Sequence, residues 1–330
     1  MSLAICRLCS REAPLRVSHI IPKFAIDWIK RTSATGYLRD AINPNLRRQD
    51  VAKAELLCEK CEQLFSRDET IFAEAIFYPF LDQRVSHFQY EEWLRRFAVS
   101  LAWRGLVTSL ALPGFDPGYF HEALDKAAAD WGRYLLCQSK SPGDYTHHMF
   151  LAGYADKAPQ DVPKGFQSYL MRAVDGTVAI SNKSVLLYTK LPAILFVSHV
   201  VPGEPAGWRR TRILRKGEIG GAQVLSHGAF ARFLLDRASE VLRRSAVSTR
   251  QTHRMRRDVL KDPERALASK SYETILADER LRRPRRRLLD ADWESLEPQS
   301  PHHPRTSVIL SGDHLRMGAM TSSAKESGVG

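Results

Sequence analysis

The chain has 330 residues, of which 44% are apolar and 26% are charged, and its formal net charge is +12. This composition excludes an intrinsically disordered chain and is sufficient for a substantial core, with room for two domains. The longest apolar stretches, 98–112 and 185–201, are interrupted by Arg104 and by Lys190 with Pro192, which excludes a membrane-spanning helix. Since no export signal is recognisable, we expect a cytoplasmic protein with no membrane partner.

Two C-x-x-C pairs, Cys6/Cys9 and Cys58/Cys61, enclose the N-terminal part of the chain. Four thiolates are the ligand set that zinc prefers at a structural site, so we expect these cysteines to hold one zinc ion. Disulfide or redox pairs are the alternative, but the total of five cysteines is odd and the matched spacing favours a metal. The fifth, Cys137, lies in an apolar helical run and is interpreted as a small buried hydrophobic residue.

The segment between the two cysteine pairs predicts a short strand and a short helix. The strand, over 15–21, carries His19, and Pro22 then begins the helix, which is followed by a connecting loop over 32–44. The second cysteine pair begins another helix, whose apolar residues recur at helical spacing until Pro79 ends it.

The pattern after residue 82 predicts helices on both sides of a small antiparallel sheet. We expect, in chain order, helices over 90–112 and 121–137, a loop over 138–165, short strands between 168 and 201, and helices over 229–244 and 263–281. Asp175-Gly176 is a hairpin-turn signal. The other histidines, including His147 and His148, lack ligand spacing to a third partner and are assigned to a solvated loop.

The positive charge is concentrated in one segment. Residues 209–290 carry 22 basic and 10 acidic side chains, which accounts for the whole net charge. Arginine clusters of this kind contact phosphate backbones, so we expect nucleic acid as a partner, DNA rather than RNA. A solvated helix face and an acidic protein partner are the alternatives. The candidate nucleic-acid-binding residues are Arg254, Arg256, Arg257, Arg282, Arg283, Arg285, Arg286 and Arg287.

The order of motifs resembles the HNH endonuclease family in its four-cysteine form. The resemblance covers residues 5 to about 80, and it depends on both C-x-x-C pairs, on the run from His19 to Pro22 and on Leu57. It implies a treble-clef, ββα-metal fold in which structural zinc clamps a hairpin against a helix and a second divalent ion, such as Mg²⁺, binds between them. It further implies His19 as the general base on the attacking water and Glu62 as a ligand of that second ion.

The chain departs from the family's pattern at two positions. The residue before the general base, usually an acidic or histidine ligand of the catalytic ion, is Ser18, which is interpreted as pointing to solvent. The usual middle asparagine is Lys53. His19 also has the interpretation of a core histidine, and Glu62 is favoured near a helix N-terminus by the macrodipole alone. Two hypotheses follow, a metal-dependent nuclease and a non-catalytic zinc module that binds nucleic acid or a protein partner.

The expected architecture is therefore an α+β protein in three parts. Residues 1–81 form an N-terminal zinc-bound treble-clef module, and residues 82–290 form a mainly helical domain with a β insert at about 166–201 and a basic C-terminal part. Residues 291–330 lack periodicity and form a disordered tail.

Overall fold

The computed structural model describes residues 3–39, 45, 47–48, 53–155, 162–201, 207–224, 228–244 and 247–282. In these ranges helices are combined with small antiparallel sheets, so the expected mixture of helix and sheet is confirmed. The predicted tail, 291–330, lies outside the described residues, as do Arg283, Arg285, Arg286 and Arg287.

The N-terminal part is a three-stranded antiparallel sheet with one helix inside the long connection between its second and third strands and another directly after the third strand. Its elements are β1 (Leu3–Ile5), β2 (Glu12–His19), α1 (Lys23–Arg31), β3 (Leu38–Arg39), β4 (Arg47–Arg48), β5 (Lys53–Cys58) and α2 (Glu59–Phe72). The strand order is β1-β2-β5, and β3 pairs with β4. Helix α1 begins directly after Pro22, as predicted, and α2 begins directly after Cys58.

The prediction that Pro79 ends the second helix is wrong. Helix α2 continues through a π-helical segment, Ala73–Phe77, into α3 (Tyr78–Gln83). A π-helical turn shifts the backbone hydrogen-bonding register, and Pro79 follows it in the first turn of α3, where a missing N–H costs little. The helix ends at Arg84, whose left-handed backbone (φ 61°) caps it.

The middle of the chain forms a four-stranded antiparallel sheet with helices packed around it. Its elements are β6 (His87–Tyr90), α4 (Glu92–Leu110), α5 (His121–Leu135), β7 (Thr146–Leu151), α6 (Phe166–Arg172), β8 (Asp175–Ile180), β9 (Val185–Leu191), β10 (Ile194–Val201) and β11 (Gly217–Gly220). The strand order is β7-β10-β9-β8, and β11 pairs with β6. The small antiparallel sheet is confirmed.

Two local predictions in this region are wrong. Strand β7 lies inside the predicted loop 138–165, and helix α6 lies where a strand was predicted from residue 168. Asp175-Gly176 is part of β8 rather than a hairpin turn. Helix α6 forms because a distant carboxylate caps it, since Asp278 accepts hydrogen bonds from the backbone N–H groups of Gly165 (2.8 Å) and Gln167 (3.2 Å).

Four helices complete the described part of the chain. They are α7 (Gly228–Arg244), α8 (Thr249–Lys261), α9 (Pro263–Leu267) and α10 (Lys270–Arg282). The single helix predicted over 263–281 is divided because α9 ends at Leu267, with Ala268 as its C-cap, and the N–H of Lys270 bonds to the Thr32 carbonyl at 3.0 Å. The basic C-terminal helices therefore contact the loop that follows α1.

The hydrophobic core is continuous between the N-terminal part and the sheet. Helix α4 is buried along most of its length, with Phe97 stacked on Phe72 of α2 at a ring-centroid distance of 4.1 Å. Phe196 of β10 packs edge-on against both rings, at 5.6 and 5.7 Å. The position of α2 is thus set both by the N-terminal sheet and by α4.

Within the described ranges, none of the helices combines the length and the apolar composition that crossing a bilayer requires.

Candidate functional site

The four predicted ligand cysteines converge at one point. Cys6 and Cys9 lie in the turn that joins β1 to β2, Cys58 is the last residue of β5, and Cys61 lies in the first turn of α2. Their sulfur atoms all lie within 4.8 Å of one another, and Cys9 Sγ is 3.8 Å from Cys58 Sγ. A tetrahedron of sulfurs around zinc at about 2.3 Å has edges of about 3.8 Å. The arrangement is therefore compatible with structural zinc.

The surroundings of the sulfurs also favour a cation. Cys6, Cys58 and Cys61 are buried and Cys9 is half-buried. Burial, reinforced by the neighbouring sulfurs, raises the pKa of the Cys61 thiol. A bound cation reverses this effect, and the N–H of Cys58 already points at Cys6 Sγ from 3.3 Å.

Cys137 is exposed, so its interpretation as a buried residue is wrong. Helix α5 ends at Leu135, and Cys137 follows in a left-handed conformation (φ 59°) beyond the apolar face. Its sulfur accepts a hydrogen bond from Arg96 at 3.4 Å.

Strand β2 and helix α2 bring the HNH-like positions close to one another. His19 lies directly opposite Lys53 on β5. The Ser18 hydroxyl donates a hydrogen bond to Glu62 Oε2 at 2.7 Å. Ser18 is fully buried, so its predicted exposure to solvent is wrong; the reason is that α2 covers the face of β2 that carries it. Side chains alternate between the two faces of a strand, so the His19 side chain leaves β2 on the face opposite Ser18. It is only half-buried.

Arg104 of helix α4 is buried and connects β2 to α2. Arg104 Nη1 donates to the carbonyl oxygen of His19 at 2.8 Å, and its Nη2 lies 2.7 Å from Glu69 Oε1. The side chain of Arg104 is 3% exposed and that of Glu69 is 19% exposed. Its guanidinium also lies over the ring of Phe65 at 5.3 Å. A lone arginine that interrupts the apolar run 98–112 is the sequence signal that marks this residue.

The remaining acidic residue near the site has a different role. Asp68 faces α4, where Arg96 Nε donates to Oδ2 at 3.0 Å. Burial raises the pKa of Asp68, although the adjacent Arg96 opposes that shift. Asp68 is thus engaged in helix packing, whereas Glu62 and Glu69, two turns apart, share the face of α2 towards β2.

The described candidate nucleic-acid-binding arginines lie on the C-terminal helices. Arg254, Arg256 and Arg257 are exposed on α8, and Arg282 is exposed at the end of α10. The backbone N–H of Ser248, the N-cap of α8, bonds to the Asn45 side chain at 2.9 Å. This bond places the start of the basic helix beside the long N-terminal connection.

His147 and His148 lie in the sheet, so their assignment to a solvated loop is wrong. Both are buried on β7; His147 Nδ1 lies 2.7 Å from Ser198 Oγ and His148 Nδ1 lies 2.9 Å from Thr211 Oγ1. Burial lowers the pKa of each to about 3, so both are neutral at pH 7. Among the residues described, only the four cysteines are arranged to hold a metal ion.

A comparison of this chain with known proteins finds no relative. No protein-family model matches the chain, and neither the curated proteins nor the solved structures include a match.

Proposed function

We propose that this protein is an HNH-like, metal-dependent nuclease that hydrolyses phosphodiester bonds of nucleic acid. The observation that supports it is that Ser18, next to His19 on β2, donates a hydrogen bond to Glu62, which follows the cluster residue Cys61 in the first turn of α2. The treble-clef, ββα-metal identity of the N-terminal part and zinc as its ion belong to this proposal.

Each residue has a chemical role in the proposed reaction. The half-buried imidazole of His19 serves as the general base that takes a proton from the attacking water. Arg104 holds the strand at the His19 carbonyl, which positions the imidazole relative to α2. Glu62, with the Ser18 hydroxyl beside it, offers the hard oxygen ligands for a second divalent ion such as Mg²⁺. That ion would offset the charge that builds on the phosphate in the transition state.

The basic helices supply the contact with the polyanion. Helix α8 is anchored next to the N-terminal connection and presents its arginines to solvent, an arrangement suited to a phosphate backbone. DNA is the proposed substrate rather than RNA.

Replacing His19 by alanine is the direct test of cleavage. We expect nicking of plasmid DNA in Mg²⁺ or Mn²⁺ to fall by about a hundredfold or more, since a general base contributes that much to the rate. Zinc content and the unfolding transition should stay at wild-type values, because the side chain is not among the metal ligands.

The matched control is His121→Ala, which removes a histidine that is 65% exposed on α5. Nicking by His121→Ala should equal that of wild type. Equal nicking by wild type and His19→Ala, or no nicking of DNA or RNA with any divalent ion, rules out the proposed chemistry.

The second candidate is a non-catalytic metal module that binds nucleic acid or a protein partner. The hydrogen bond between Ser18 and Glu62 favours it, because the two positions that hold the ion in HNH enzymes here satisfy each other directly. A hydroxyl and a lysine in place of a carboxylate and an amide also weaken a divalent site. This candidate predicts salt-sensitive binding without cleavage.

Replacing Arg254, Arg256 and Arg257 by glutamine in one triple variant tests whether the surface of α8 contacts nucleic acid. If all three arginines contact phosphates, a plot of the logarithm of the binding constant against the logarithm of the salt concentration should have a slope that is shallower by about 3. Fluorescence anisotropy on a labelled duplex at several salt concentrations measures it.

The control is a triple variant at exposed arginines on other elements, Arg133→Gln, Arg215→Gln and Arg232→Gln. Its slope should match that of wild type. An unchanged slope in the α8 variant shows that this helix is not the contact surface.

A further inference from the structure

A second concave site lies between α1, α3, α6 and α10, formed by side chains that the proposed nuclease chemistry does not use. The cavity has a volume of about 450 Å³, within the range typical of small-molecule sites. Ser18, His19 and Glu62 do not line it.

The lining of this cavity is strongly cationic. Arg84, Arg172, Lys270 and Arg280 contribute positive charges, and Glu273 contributes the single carboxylate of the lining. That carboxylate is already engaged by Lys270 Nζ at 2.8 Å. Positive charge gathered around a partly apolar cavity raises the free energy of the empty site, and a bound anion relieves it.

Arg172 is the residue best positioned for an anion. Its guanidinium donates to the carbonyl of Ile29 at 2.8 Å and to Thr32 Oγ1 at 3.0 Å, which uses two of the five N–H groups that a guanidinium carries. It also lies over the ring of Trp28 at 5.6 Å. In the described part of the chain no salt bridge joins it to a carboxylate, although the charge of Glu273 acts on it from nearby. Burial lowers the pKa of Arg172 to about 10, against the opposing effects of Tyr154 and Glu273, so the group remains charged at pH 7.

The same cavity has an apolar and aromatic wall. Phe80, Met171, Ala277 and Leu281 line it together with Tyr154. Burial raises the pKa of Tyr154, so its hydroxyl stays protonated. An inorganic anion would leave this wall without a partner, and an uncharged aromatic ligand would leave the arginines without one. A ligand that joins a phosphate to a planar ring satisfies both.

We propose that this cavity binds a nucleotide unit, with its phosphate at Arg172 and Arg280 and its base against Phe80 and Tyr154. The unit is either a free mononucleotide or the terminal nucleotide of a nucleic acid. The site is independent of cleavage at His19, because it is built from different residues.

The test is calorimetric titration of the full chain with the four nucleoside 5′-monophosphates, with inorganic phosphate and with the nucleosides. At least one monophosphate should bind about tenfold or more tightly than either phosphate or its own nucleoside, since charged hydrogen bonds and ring contacts each contribute on this scale. Binding of phosphate alone with equal affinity, or no binding of any monophosphate at millimolar concentration, overturns the proposal.

Two variants locate the ligand. Arg280→Met, at an exposed residue on α10, should weaken binding about tenfold or more through loss of a charged hydrogen bond. Ala277→Trp, which fills the cavity and leaves its charges in place, should abolish binding. Arg133→Met on α5 is the control and should bind like wild type. Wild-type affinity in both cavity variants contradicts the proposal even if Arg172→Met proves too unstable to study.

A short single-stranded oligonucleotide with and without a 5′-phosphate distinguishes the two sources. If the terminal nucleotide is the ligand, the phosphorylated strand binds more tightly than the unphosphorylated strand, and Ala277→Trp removes that difference. If a free nucleotide is the ligand, the two strands bind alike while the mononucleotide still binds in the cavity.

Discussion

Replacing Cys61 by serine is expected to abolish metal binding and to lower the free energy of unfolding by about 5 kcal/mol or more, given the 10–16 kcal/mol typical of structural zinc sites. The cysteine is buried in the first turn of α2 and shares the cluster with sulfurs from two other segments. Without the ion, the β1–β2 turn and the start of α2 lose their common attachment. Elemental analysis should fall from one zinc per chain to none, and urea unfolding followed by circular dichroism should report the lost stability.

The fifth cysteine provides the matched control. Cys137 is exposed and outside the cluster, so Cys137→Ser should keep one zinc per chain and the stability of wild type. Hydrogen exchange should show new opening of the β1–β2 turn in Cys61→Ser alone. Retention of zinc and stability in Cys61→Ser would show that the cysteines are not a metal site, and the proposed architecture of the N-terminal part would fail with it.

Replacing Arg104 by methionine should destabilise the protein by about 3–5 kcal/mol, because it leaves the carboxylate of Glu69 buried without its partner. The His19 carbonyl also loses a hydrogen bond. Urea unfolding measures the effect. If the protein is a nuclease, cleavage should fall as well, since the strand that carries His19 is no longer held.

A double-mutant cycle separates the ion pair from general packing. Adding Glu69→Gln to Arg104→Met removes the uncompensated charge and should recover part of the loss. The comparison is Arg133→Met, which removes an exposed arginine from Asp130 on α5 while Lys126 stays paired with that carboxylate, and which should cost no more than about 1 kcal/mol. An equally small loss of stability in Arg104→Met would mean that the ion pair between Arg104 and Glu69 does not hold the site together.

The four-cysteine cluster was the part of the protein that could be predicted most directly from sequence. A C-x-x-C pair places two sulfurs in one turn regardless of the rest of the fold, so only the meeting of the two pairs had to be inferred. The basic segment was equally visible, because its charge is a property of composition, and the described arginines of α8 are exposed.

The immediate surroundings of His19 could not be predicted from the sequence. Whether Ser18 meets solvent or Glu62 depends on which face of β2 is covered by α2, and the strand pattern is compatible with either. Arg104 donates to a carbonyl 85 positions away, and no local spacing indicates such a partner.

Amino-acid sequence alone therefore determined the four cysteines that could hold a metal ion, the mixed helical and antiparallel character and the location of the positive charge, since these depend on spacing within single turns, on periodicity and on composition. Tertiary structure decided the rest. Helix α6 exists where a strand was predicted because Asp278, 113 positions from Gly165, caps it. His147 and His148 became core residues because β10 pairs with β7 and supplies Ser198, while Thr211 adds a second hydroxyl. In each case the deciding hydrogen-bond partner is distant in sequence, so local propensity carries no information about it.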